Sequence, residues 1–406
     1  MRRKLVLATV VLLMIFGCSK GDTGETINDS NNQPQQNDPQ SDDSSSDDNP
    51  IYLAENGVTI KCYDWGKVGD KGVVNGVTYT IVDEDMLWEM VDNGANVSKV
   101  CTTRVTDMNM LFAFLDFKQD ISTWDVSNVT NMSFMFSGNE CCGLTPFNKD
   151  ISHWDVSKVT NMAGMFNGSL FNQPIGNWDV SNVRNMRHMF SLSQFNQPIG
   201  NWDVSSVTDM KHMFSESQFN QPIGNWDVSS VTDMSGMFSY SQINQDIGNW
   251  DVRNVADMEK MFSGSIFNQP IDNWVVSNVT NMSGMFEVSN FNGDLSKWDV
   301  SKVSDMSYMF SETRYRDTPF NQPIDAWDVS NVTDMSYMFR DSRFDRPLGN
   351  WNVSNVTNMS WMFNQTPFNQ DLSSWNVEYV SYCQGFADTT PDWTLPKPNF
   401  SNCDPN

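Results

Sequence analysis

Apolar residues recur along most of this chain with a single long period. Tryptophan stands at Trp124, Trp154, Trp178, Trp202, Trp226, Trp250, Trp274, Trp298, Trp327, Trp351 and Trp375, and eight of the ten intervals are 24 residues. The other two stretch to 30 after Trp124 and to 29 after Trp298. Within one copy, Ile175-Gly-Asn-Trp178-Asp-Val180-Ser-Asn-Val183-Arg-Asn-Met186-Arg-His-Met189-Phe190, the apolar spacing changes. Trp178 and Val180 are two apart, so an extended chain puts them on one face with Asp179 on the other. Val183, Met186, Met189 and Phe190 follow at intervals of three and four, the stripe of a short helical turn. A polar residue such as Thr130, Thr160, Thr208 or Thr232 precedes that stripe and suits a helix cap. Phe195-Asn-Gln-Pro-Ile199 then carries the chain to the next copy, with Pro174 and its equivalents marking a bend.

One such copy has too few apolar side chains to offset the ordering of its backbone. Stacked copies bury both sides against neighbours. The expected fold is therefore α/β: a leucine-rich-repeat-like solenoid of about eleven 24-residue rungs over residues 105–379, each rung a short parallel strand plus a short helical turn. At about 4.8 Å per rung the stack would be roughly 50 Å long. Residues 51–104 read as an N-terminal cap, with a hairpin at Asn75-Gly76 and a helix near Asp85 to Asn93. Residues 380–406 read as a C-terminal cap, in which Val380, Cys383 and Phe386 echo the motif before Pro391-Asp392-Trp393 breaks it.

The first 18 residues differ in kind. Arg2, Arg3 and Lys4 precede an apolar run from Leu5 to Phe16 that is too short to span a bilayer, and Gly17-Cys18 follows. The segment resembles a bacterial lipoprotein signal with Cys18 as the lipidated residue; a retained membrane anchor is the alternative. Residues 19–50 are rich in Asp, Ser, Asn, Gln and Pro and read as a disordered acidic tether. Their Ser-Lys-Gly-Asp start resembles export tags on Bacteroidetes surface lipoproteins. The expected location is extracytoplasmic, lipid-anchored at the outer membrane or cell surface, with membrane contact through the lipid alone.

A net charge of −25 disfavours nucleic-acid binding, which needs a basic footprint. Six cysteines remain besides Cys18, an even number that suits disulfides in an exported chain. We expect bridges Cys62–Cys101 and Cys383–Cys403, one at each end of the array, with Cys141 and Cys142 either vicinally bridged or reduced.

The string Trp-Asp-Val-Ser-Asn-Val-Thr-Asn-Met-Ser-Phe-Met-Phe at 124–136, with Phe-Asn-Gln-Pro-Ile between rungs, resembles the BspA-like leucine-rich-repeat surface proteins, whose repeat was first described in mycoplasma lipoproteins as a domain of unknown function. The resemblance covers roughly residues 55–403 and implies a surface-exposed solenoid associated with adhesion or host contact. It supplies no catalytic residues.

Neither a nucleophile elbow, a phosphate-cradling loop nor a metalloprotease helix is present, and near-identical rungs leave no place for one distinct active site, so no enzyme is expected. The Asp column after each Trp (Asp125, Asp155, Asp179, Asp203, Asp227, Asp251, Asp299, Asp328) is either solvated and hydrogen-bonded or a calcium ladder. No cofactor is favoured. The Asn column beginning at Asn172 reads as a side-chain-to-backbone ladder. The position before each Met-Phe pair varies, which suggests exposure. It carries His188 and His212, read as solvated rather than metal-binding, and then Tyr308, Tyr337 and Trp361. With Arg314, Arg316, Arg340, Arg343 and Arg346 nearby, these aromatics form a candidate patch for an extracellular protein or glycan of unknown identity, or else the arginines pair locally with acids. The two functions weighed are thus a surface binding or adhesion protein and a structural spacer or surface-layer component.

Overall fold

A computed structural model describes residues 48–138, 143–312, 319–390 and 392–405. The signal with Cys18, most of the tether, Cys141, Cys142, Arg314 and Arg316 lie outside the described residues. Among the described residues no helix is long and apolar enough to cross a membrane.

The N-terminal cap is built from two small sheets. β1 (Ile51–Leu53) pairs antiparallel with β2 (Ile60–Cys62). β3 (Lys71–Val74) pairs antiparallel with β4 (Val77–Ile81), and β4 pairs in parallel with β5 (Val100–Cys101). Asn75 and Gly76 both take positive φ, 51° and 76°, as the two-residue turn between β3 and β4 requires. Helix α1 (Glu84–Asp92) starts at Asp83, whose carboxylate accepts the Met86 N–H at 2.9 Å. It buries Leu87, Trp88 and Val91 against the repeats. Ile51, Ile60, Val74, Tyr79, Ile81 and Cys101 belong to a second, smaller core.

From Asp107 onward, consecutive copies bridge in parallel, Asp107 to Asn131, Asn131 to Asn161, and so on to Asn358 with Tyr382. The bridging residue lies just before the first Met of the motif, not at the Trp178–Val180 segment where the alternation had placed a strand. The Val-Met-Met-Phe stripe is buried throughout, yet its backbone is not helical. Met186, His188, Phe190 and Leu192 donate their N–H groups to Asp209, Lys211, Met213 and Ser215 of the next copy, at 2.8–3.0 Å. A helix would direct those donors along its own axis. Here only i to i−3 bonds remain within the copy, Met189 to Met186 and Ser191 to His188, both 3.1 Å. Alternate donors can all point at the next copy because His188 and Leu192 take φ of 56°. The 3.6-like side-chain spacing thus arises from successive tight turns.

The threonines expected as caps serve between copies instead. Thr208 Oγ1 donates to the Arg184 carbonyl at 3.2 Å, and Thr232 Oγ1 to that of Thr208 at 3.3 Å. Each Trp of the repeats is buried and bonds backward, as Trp178 Nε1 donates to the Ile151 carbonyl at 3.2 Å and Trp226 Nε1 to that of Ile199 at 3.1 Å. Phenylalanines stack from copy to copy, with Phe166 and Phe190 at 5.8 Å between ring centres. One hydrophobic core therefore runs from Val82 to Trp393.

Cys383 and Cys403 are disulfide-bonded and close the C-terminal cap. The bridge expected between Cys62 and Cys101 is not formed, and both are free and buried. The Cys101 thiol is directed to the Ile60 carbonyl at 3.6 Å and lies 3.4 Å from Thr103 Oγ1, which also accepts the Cys62 N–H at 3.2 Å. Burial pushes the Cys101 thiol up to about 12, with Cys62 beside it adding to the rise. A thiol held neutral in this way is a poor participant in disulfide exchange.

Candidate binding face

The ladder of donors creates a column of residues with left-handed backbone, one per copy: Phe134, Gly164, His188, His212, Gly236, Lys260, Gly284, Tyr308, Tyr337, Trp361 and Gly385. This is the position that the sequence showed as variable. Its side chains lean toward the next copy, and two outcomes follow. Where the next residue is also a ring, the rings stack: His188 on His212 at 4.9 Å, Tyr308 on Tyr337 at 4.5 Å, and Tyr337 on Trp361 at 6.5 Å. Where the next residue is glycine, the side chain occupies the space a Cβ would need, as Phe134 does over Gly164, His212 over Gly236 and Trp361 over Gly385. Every such run of rings ends on a glycine.

His188 and His212 are therefore half-buried, contrary to the solvated state the sequence suggested. Burial lowers His188 to about 3 and His212 to about 4, with the cations of Arg187 and Lys211 pushing the same way. Both imidazoles are neutral at pH 7. Burial also raises the Asp209 carboxyl, helped by Asp233 on the next copy. Among the described residues no group of three or more His, Cys, Asp or Glu side chains could hold a metal ion.

Tyr308, Tyr337 and Trp361 come together as the sequence predicted, but their ring faces meet one another. The arginines divide. Arg340 Cζ stands 5.5 Å from the Tyr337 ring centre, and its Nε lies 3.2 Å from Asp341 Oδ2. Tyr337, Arg340, Trp361, Gln365 and Asp388 line a depression of about 450 Å³. Arg346 instead takes the place of the linker Gln, its Nε donating to the Asn321 carbonyl at 2.9 Å, and Arg343 is exposed. The recurrent glycines at 164, 236, 284 and 385 were the signal of this left-handed column, visible in the sequence but not interpretable without the backbone.

The polar columns have local tasks. Asp179 Oδ1 accepts both the N–H and the hydroxyl of Ser181, at 3.1 and 2.6 Å, and the pattern recurs at Asp155 and Asp203. Asn172 Oδ1 accepts the Asn196 N–H at 2.9 Å, and the same bond repeats through Asn220, Asn244, Asn268 and Asn292.

The repeat that makes these columns also identifies the relatives. The family described as "Mycoplasma protein of unknown function, DUF285" matches residues 84–194, 167–265, 239–317 and 288–393, more than half of the chain. The chain belongs to the DUF285 family. Its four overlapping matches follow the DUF285 repeats from α1 to the C-terminal cap. No curated protein and no solved structure matches it.

Proposed function

We propose that this DUF285 protein is a non-enzymatic surface protein, lipid-anchored through Cys18, that presents a leucine-rich-repeat-like solenoid of the BspA-like kind to an extracellular protein or glycan. The observation that carries this reading is the left-handed column. Its backbone is the same in every copy, while its side chains pass from His through Lys to Tyr and Trp. A constant scaffold that offers changing side chains on one face is how repeat proteins build an extended recognition surface. The Tyr337, Arg340 and Trp361 depression is where aromatic, cationic and amide groups converge, the mixture typical of binding hot spots.

A second reading, a spacer without a specific ligand, is favoured by the rings themselves, since Tyr308, Tyr337 and Trp361 satisfy their faces by stacking on one another. The test is an array of matrix proteins and glycans probed with the full chain and with Arg340→Glu and Trp361→Ala, with and without calcium. Binding that both substitutions abolish supports recognition through this face. Absence of any bound ligand supports the spacer.

A further inference from the structure

The groove between the β1–β2 hairpin and the first repeats holds a carboxylate with an unused oxygen. Register pairs Tyr52 with Lys61, so both side chains stand on the hairpin face opposite Ile51, Ile60 and Cys62. Both line the groove with Asp125. Lys61 Nζ lies 3.5 Å from Asp125 Oδ1, which also accepts the Ser127 N–H at 3.1 Å and hydroxyl at 2.7 Å. All these donors converge on Oδ1. Oδ2 has no hydrogen-bond partner, although Asp125 is only 2% exposed. The equivalent Asp155, Asp179 and Asp203 are exposed, so water reaches their second oxygen. A buried carboxylate oxygen without a donor is costly, and Asp125 lines a groove of about 410 Å³, within the range of small-ligand sites.

An aromatic strip leads away from it. The Tyr52 ring centre is 4.6 Å from that of Tyr63, and Tyr63 is 5.9 Å from Trp65 with the rings 6° from parallel. Tyr63 and Trp65 are 46% and 53% exposed. Their loop is firmly held: Arg104 Nη2 donates to the carbonyls of Tyr63, Asp64 and Gly66 at 3.3, 2.6 and 2.8 Å, and the Tyr63 N–H donates to the Pro50 carbonyl at 2.9 Å. Exposed aromatics on a fixed loop mark a contact surface.

We propose that this groove and strip bind an uncharged oligosaccharide. A sugar hydroxyl both donates and accepts. Placed against Lys61 Nζ, it accepts from the ammonium and, as the Asp125 carboxylate turns toward the groove, donates to Oδ2, which supplies the missing partner. The apolar C–H faces of neighbouring pyranose rings pack on Tyr52, Tyr63 and Trp65, as apolar surface does on aromatic rings. Glu55 and Asp155, exposed at the groove, repel sulfated or sialylated chains. The site is separate from the Tyr308–Trp361 column and stands whether or not that column binds anything.

The test is an array of neutral, sialylated and sulfated glycans probed with the full chain, followed by calorimetric titration of the neutral glycans that bind, with spermine and heparin as charged probes. A neutral oligosaccharide should bind. Trp65→Ala should weaken it roughly tenfold, the effect of removing one aromatic contact, with the melting temperature unchanged. Lys61→Met should weaken it likewise, and Trp361→Ala should leave it intact. The proposal is overturned if no neutral glycan binds, if spermine or heparin binds here in place of the neutral sugar, or if binding survives Trp65→Ala.

Discussion

The imidazole of His212 occupies the space in which a side chain on Gly236 would stand. The two residues hold equivalent places in adjacent copies, and both need a left-handed backbone, with φ of 53° and 59°. Glycine is thus selected at 236 twice over, by its own φ and by the ring above it. Gly236→Ala should destabilise the protein by about 1–3 kcal/mol, the order expected for strain at a special φ combined with overpacking. Denaturant unfolding measures this. A second variant, Gly236→Ala with His212→Gly, removes the clash but retains the φ strain at 236. It should recover part of the loss.

The stacked histidines set a pH dependence. The fold holds His188 down to about 3 and His212 to about 4, whereas an unfolded histidine titrates near 6.5. Between those values the unfolded chain binds more protons than the folded one. Stability from this source is therefore complete above about pH 6.5 and falls as pH drops toward 4 and then 3. Replacing both histidines by phenylalanine should flatten the slope of unfolding free energy between pH 6.5 and 4 relative to the parent. An unchanged slope would show that the rings are protonated in the fold.

From Trp154 to Trp375 each repeat indole N–H bonds the isoleucine or leucine carbonyl of the previous copy, as Trp226 does to Ile199 at 3.1 Å. Trp226→Phe keeps an aromatic ring but removes one of two donors to that carbonyl, which still accepts the Trp202 N–H at 3.1 Å. The expected cost is about 0.5–1.5 kcal/mol for the lost hydrogen bond, read as a lower denaturation midpoint with an unchanged denaturant slope.

The cysteines at the two ends should behave differently. Peptide mapping after alkylation of the native protein should find Cys62 and Cys101 unlabelled because both thiols are buried, and labelled once the chain is unfolded without reductant. Cys383 and Cys403 should label only after reduction. Cys403→Ser should destabilise the C-terminal cap by about 2–4 kcal/mol, with faster amide exchange confined to the last copies.

The repeat and its core were written in the sequence. Period, the buried Trp, Val, Met and Phe positions, the Asn ladder and the Asn75-Gly76 turn all rest on local chemistry that recurs every 24 residues. The conformation of the Met-Phe segment was not. A spacing of three and four suits a helix, yet these backbone donors bond to the next copy instead. That choice depends on a neighbour that a single copy does not contain. From it follow the left-handed column, the stacking of His188 on His212 and of Tyr308 on Tyr337, and the division of Arg340 from Arg346. Contacts between the cap and the array were likewise invisible in the chain order. Asp125 carries the same motif as Asp179, and only the hairpin folded over it makes one buried and the other exposed. Periodicity determines which residues are inside; the packing of one copy on the next determines what the remaining residues can touch.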